Sequence, residues 1–182
     1  MIRAFLALPL PDATIAAVTR MADRLDIGRV VPPENYHITL AYLGQQPEDK
    51  LEELHLRLEG IGTGPLTLTG QGVDLFGGDK PRVLFAAIDP DPALVALRDR
   101  VRRMVRMSGI DLRHEKFRPH ITLSRLPGRV DPAERTRLEA FIARNAGVRL
   151  PPFDVHELTL FQSTLRDDAP LYTPLASYPL TG

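Results

Sequence analysis

The chain has 182 residues, 43% hydrophobic and 25% charged, and its 23 basic side chains balance 23 acidic ones to a formal charge of zero. That balance excludes a polyanion binder driven by whole-molecule charge, and the apolar content excludes wholesale disorder. Cysteine is absent, which removes disulfides, thiolate metal ligands and cysteine nucleophiles and fits a reducing compartment.

The length suits one large domain or two small lobes. Proline is high at 17 residues, about 9% against roughly 5% in average chains, so elements should be short and sharply bounded. The opening Met1-Ile2-Arg3-Ala4-Phe5-Leu6-Ala7-Leu8-Pro9 is broken by Pro9 and Pro11 and lacks a small-residue cleavage site. It reads as a buried strand rather than a secretion signal. No window approaches the ~18 apolar residues of a membrane span, so a soluble, cytoplasmic protein without a membrane partner is expected. Ile15, Val18, Ala22 and Leu25 follow at helical steps. Next come the tetrapeptide His37-Ile38-Thr39-Leu40, a helix from Pro47 to Leu58 carrying Leu51, Leu54 and Leu58, and a strand from Leu66 to Phe76.

After Gly77-Gly78-Asp79-Lys80-Pro81 the pattern recurs. Arg82-Val83-Leu84-Phe85-Ala86-Ala87-Ile88 parallels the opening strand, and Asp91-Pro92 starts a helix with Leu94, Leu97, Val101 and Met104 on one stripe and Gly109 as its stop. His120-Ile121-Thr122-Leu123 lies 83 residues after the first tetrapeptide, while the helix starts at Asp12 and Asp91 lie 79 apart. Asp131-Pro132-Ala133-Glu134 has capping-box spacing before Leu138, Phe141 and Ile142, and strands are expected from Phe153 to Thr164 and from Leu171 to Leu180. The expected fold class is α+β. Two similar lobes would be related by pseudo-two-fold symmetry, each a mostly antiparallel sheet with helices on its outer face and the active cleft between them. The whole chain, 1–182, would be a single bilobal domain, with repeats of about 1–78 and 79–182 and the glycine-rich segment as the crossing point.

On a strand, His37 and Thr39 share one face while Ile38 and Leu40 share the other, and the same holds for His120, Thr122, Ile121 and Leu123. Two imidazoles and two hydroxyls facing one cleft suit displacement at phosphorus: one imidazole accepts a proton, the other donates one, and the hydroxyls hold the non-bridging oxygens. The nearby carboxylates, Glu34 and Glu115, are awkwardly spaced for a metal site, so no metal and no cofactor are expected. The two tetrapeptides are chemically equivalent, so the residues alone do not say which histidine is the acid. His55, His114 and His156 read as solvated or structural. Arg98, Arg102 and Arg106 read as a solvated helical face. Arg118 and Arg125 are candidates for phosphate contacts, the latter only if the strand ends or bulges before it. Tyr36 and Phe117 fit the core better, with stacking on a base as the alternative. Residues 1–80 carry 7 basic and 11 acidic side chains and residues 81–182 carry 16 and 12, so the second lobe is the expected polyanion binder.

Paired His-x-Thr-Leu tetrapeptides in a duplicated chain resemble the two-histidine phosphoesterase superfamily, specifically the RNA 2′,3′-cyclic phosphodiesterases also described as 2′-5′ RNA ligases. The resemblance runs through Arg3-Ala4-Phe5-Leu6-Ala7-Leu8, Glu34 to Gly44, Phe117 to Arg125, Glu157-Leu158-Thr159-Leu160-Phe161 and Tyr172-Thr173-Pro174-Leu175. It implies hydrolysis of a terminal 2′,3′-cyclic phosphate on RNA, or of a small cyclic nucleotide, to a 2′-phosphomonoester. His37 would be the proton donor and His120 the proton acceptor; Thr39 and Thr122 would hold the phosphate, and a monomer is expected. The alternatives are an ATP-independent 2′-5′ RNA ligase and a non-catalytic RNA-end binding module.

Overall fold

The computed structural model describes residues 1–167 and 169–181. Among these residues nine strands, β1 (Ile2–Pro9), β2 (Arg29–Val30), β3 (His37–Gln46), β4 (Leu66–Phe76), β5 (Val83–Ile88), β6 (His120–Arg125), β7 (Arg149–Val155), β8 (Glu157–Thr164) and β9 (Leu171–Pro179), join four α-helices, α1 (Asp12–Met21), α2 (Glu48–Leu58), α3 (Pro92–Met107) and α4 (Pro132–Asn145). Among the described residues the strands form one sheet in the order β7-β4-β5-β6-β3-β1-β8-β9, with β2 added to β6. Its two halves, β6-β5-β4-β7 and β3-β1-β8-β9, are mirrored in strand order about the β3–β6 junction, and every pairing is antiparallel.

The halves in space are not the repeats in sequence. β4 closes the first repeat yet pairs with β5 and β7, and β8 belongs to the second repeat yet pairs with β1. The helices cross over as well, since α3 packs on β3 and α1 on β7. The expected crossing point, Gly77 to Pro81, is instead the hairpin between β4 and β5 within one half, where Gly77 (φ 108°) and Gly78 (φ 54°) supply left-handed turn conformations.

Local signals set most boundaries. Asp91 caps α3 by accepting from the Ala93 and Leu94 amides, and Asp131 and Glu134 form the reciprocal capping box of α4. α1 stops at Met21, because the chain turns through Arg24 (φ 61°), so its buried face is Thr14, Val18 and Met21, and Leu25 lies beyond the helix. The expected strand from Phe153 to Thr164 breaks at His156 into β7 and β8, which go to opposite halves.

Of the arginine stripe of α3, Arg106 is solvated as expected, but the rest is not. Arg98 and Arg102 are buried; Arg98 donates to the Glu115 carbonyl and lies 4.8 Å over the Phe117 ring, and Arg102 donates to the Arg113 carbonyl. They anchor the irregular segment that leads into β6. One apolar core runs through both halves, from Leu6, Leu8, Ile38 and Leu40 to Leu84, Ile121, Leu123 and Leu160. Among the described residues no helix is long and apolar enough to cross a membrane.

Candidate active site

β3 and β6 open with the same alternation: a half-buried histidine, a buried isoleucine, a half-buried threonine and a buried leucine. Burying Ile38, Leu40, Ile121 and Leu123 in the core fixes the opposite face of each strand, where His37, Thr39, His120 and Thr122 sit. Ile38 pairs with Ile121 at the junction of the two halves, so the two tetrapeptides lie side by side and antiparallel.

Each strand then bulges at the equivalent leucine. β3 passes from Thr39 opposite Ala7 to Ala41 opposite Leu6, leaving Leu40 without a partner on β1, and β6 passes from Thr122 opposite Phe85 to Ser124 opposite Leu84, leaving Leu123 extra. An extra residue shifts the alternation by one. Arg125 and its counterpart Tyr42 are thereby turned to the side of the imidazoles, and both line a cavity of about 490 Å³ with His37 and Thr39. The bulge thus meets the condition on which Arg125 was a candidate.

The imidazoles are held alike. His37 Nδ1 lies 2.7 Å from the Asn35 carbonyl and His120 Nδ1 lies 2.7 Å from the Arg118 carbonyl. A carbonyl only accepts, so each Nδ1 donates, and in the neutral ring Nε2 carries the free lone pair. His37 Nε2 is 3.0 Å from Thr39 Oγ1. Aromatic rings brace both imidazoles: Phe5 and Tyr172 lie 5.0 and 5.3 Å from His37, and Phe76 and Phe85 lie 4.9 and 5.1 Å from His120. Phe5 and Phe85 are themselves buried, yet stand outside the main core, as the floor beneath the imidazoles. Burial in this apolar frame lowers the His37 pKa to about 4 against the opposing hydrogen bond to Asn35, and His120 and Arg125 add smaller depressions. Burial likewise lowers His120, again with Arg125 contributing and with Arg118 beside it. Both rings are therefore neutral bases in the free protein near pH 7.

The other sequence candidates separate. The Arg118 guanidinium is tied to Asp74 at 2.6 Å and lies over Phe76 and Phe85; its backbone carbonyl is what holds His120. Tyr36 is in the core and Phe117 packs against that core under Arg98, so neither lines the cavity as a base-stacking ring. His55 pairs with the Tyr178 hydroxyl on β9 and with Glu59, a structural role. His37 lines the cavity, and His120 and Thr122 are not among its described lining residues. Its three cations are Arg3, Arg29 and Arg125, two of them from the net-acidic first repeat rather than the basic second one. Sequence reasoning passed over Arg3, Arg29, Tyr42 and Tyr172, because their convergence depends on the β2–β6 pairing, the bulges and the return of β9. Among the described residues no group of three or more His, Asp or Glu side chains could hold a metal ion.

The 2′-5′ RNA ligase superfamily matches over residues 10–167. An RNA 2′,3′-cyclic phosphodiesterase of Thermus thermophilus is 32% identical over 99% of this chain and 91% of its own length. A protein of the same description from Geobacillus stearothermophilus is 29% identical over 98% of this chain, which spans 57% of that longer protein. The crystal structure of Escherichia coli LigT complexed with 3′-AMP superposes with a TM-score of 0.81 at 27% identity, over 100% of this chain and 99% of LigT. The paired tetrapeptides, the mirrored half-sheets and these matches lead to one assignment: the chain belongs to the 2′-5′ RNA ligase superfamily.

Proposed function

We propose that the protein is a cytoplasmic monomer that hydrolyses 2′,3′-cyclic phosphate ends of RNA to 2′-phosphomonoesters, without metal or cofactor. The observation that carries the orientation is the one-sided cavity: room for a nucleoside lies beside His37, and His120 stands outside it. In-line displacement puts the attacking and leaving oxygens on opposite sides of phosphorus. The departing 3′-oxygen stays with the ribose, so the acid belongs beside the nucleoside, and water comes from the other flank.

His120 Nε2 takes a proton from water as its oxygen attacks phosphorus, the P–O3′ bond breaks, and His37 Nε2 delivers a proton to the 3′-oxygen. His37 is neutral before binding; the phosphate anion offsets the depression caused by burial and Arg125, so the ring takes up the proton it later gives. Thr39 and Thr122 donate to the non-bridging oxygens, and Arg125 stabilises the charge that builds there. Exchange with solvent then resets both rings.

The test is a short RNA ending in a 2′,3′-cyclic phosphate, incubated with EDTA-treated protein and followed by phosphorus NMR. A 2′-phosphate is expected. No opening would overturn the reading, and a 3′-phosphate would reverse the acid and base. Adding an RNA with a 5′-hydroxyl separates hydrolysis from ligation, in which that hydroxyl replaces water on the His120 flank.

A further inference from the structure

We infer that Arg3 and Arg29 form a subsite for a second phosphate, the one joining the terminal nucleotide to its 5′ neighbour, so that the substrate is an oligonucleotide end in preference to a cyclic mononucleotide. The inference rests on the proposed function for which phosphate reacts, and it deepens that reading by naming the substrate class.

The charge of the cavity is the starting point. Arg3, Arg29 and Arg125 line one space with no Asp or Glu among its described lining residues, and none of the three has a carboxylate partner among the described residues. A cyclic phosphate diester carries one negative charge. Three uncompensated guanidinium groups around it exceed what one phosphate can balance, whereas each further backbone phosphate supplies another charge. On the His120 flank the cation is already spent, because Arg118 is paired with Asp74 at 2.6 Å. Among the described residues, the cations that line the cavity beside His37 are Arg3, Arg29 and Arg125, whereas Arg118 beside His120 is held by a carboxylate.

The positions of these cations are built. Arg29 pairs with Arg125 across β2 and β6, which sets the two side by side at the cavity rim. That short ladder depends on Gly28 (φ 70°), where an added Cβ would stand 2.5 Å from the Arg125 carbonyl oxygen, and on the buried Ser124 hydroxyl, which donates to the Ile27 carbonyl at 2.6 Å. Arg3 is aligned by the Tyr42 ring, 5.4 Å from its guanidinium carbon. Tyr42 is half exposed and offers its other face to a base. A single catalytic phosphate needs none of this second group of residues.

The experiment compares a 2′,3′-cyclic mononucleotide with a dinucleotide carrying the same cyclic end, using wild type, Arg29→Gln and Arg3→Gln. Wild type should favour the dinucleotide in kcat/KM. Each substitution should lower the dinucleotide-to-mononucleotide ratio about tenfold, as expected for one charge-assisted contact, and reduce the salt slope of dinucleotide binding by about 0.7. Equal losses on both substrates, or an unchanged ratio, would overturn the subsite. Binding of the product-like dinucleotide with a 2′-phosphate end, against the 2′-mononucleotide, is measured by calorimetry on the same proteins. If no cyclic substrate is opened but the variants still lose dinucleotide affinity selectively, the proposed activity falls and the subsite stands. If hydrolysis proceeds and neither comparison discriminates, the subsite falls and the activity stands.

Discussion

Ile38 of β3 faces Ile121 of β6 at the junction of the two half-sheets, and neither side chain is accessible to solvent. Each isoleucine is flanked by a histidine and a threonine on the opposite face, so this apolar pair is the anchor from which all four polar groups are hung. Truncating it should be costly. Ile121→Ala is expected to lower stability by about 2–5 kcal/mol and Ile121→Val by about 1 kcal/mol in urea denaturation. A loss below 0.5 kcal/mol for the alanine variant would mean that the junction relaxes and does not set the site.

Removing either imidazole should remove the chemistry. His37→Ala and His120→Ala are each expected to lower kcat on a cyclic-phosphate RNA by about 10²–10⁴. The double variant should be little worse than the poorer single one, since each group needs the other. Activity within tenfold of wild type in either single variant contradicts a paired acid and base.

Thr39 has two roles, as the partner of His37 Nε2 at 3.0 Å and as a proposed donor to phosphate. Thr39→Val should therefore lower kcat/KM by about 10–100-fold, while Thr39→Ser, which keeps the hydroxyl, should recover most of it. Equal damage from serine and valine would point to the methyl group's packing instead.

The depressed imidazoles predict an acid-sensitive fold. Both histidines are harder to protonate in the folded chain than in the unfolded one, so the unfolded state binds more protons as pH falls. Their contribution is fully present above pH 6.5 and is lost as pH drops from 6.5 toward about 4, the folded value of His37. The Tm of wild type should fall across that window, and His37→Gln should flatten the fall. In kinetics, the limbs of the kcat profile should lie at higher pH than those of kcat/KM, because the bound phosphate raises both imidazoles. Coincident profiles would show that the anion does not reach them.

What the sequence made legible was local. β4 runs from Leu66 to Phe76 as its apolar pattern predicts, and the caps at Asp91 and Asp131 start α3 and α4 where their chemistry requires. His37, Thr39, His120 and Thr122 were readable because a strand's alternation is fixed by its own residues. The bulges at Leu40 and Leu123 were not, since they arise from register with neighbouring strands, and with them went the placement of Tyr42 and Arg125. Arg98 and Arg102 looked like a wet stripe because periodicity reports a face and not what covers it; the segment before β6 folds over them. The exchange of β4 and β8 was hidden for the same reason, as strand partners tens of residues away leave no local mark.

That exchange has a mechanical consequence. Each half-sheet contains a strand from the other repeat, and the β4–β5 turn at Gly77 lies inside one half. No swivel runs between the repeats, so parting them would require unzipping ladders of backbone hydrogen bonds. The imidazoles stand on the two strands that meet at the junction of the half-sheets, and the exchanged ladders brace that junction from either side.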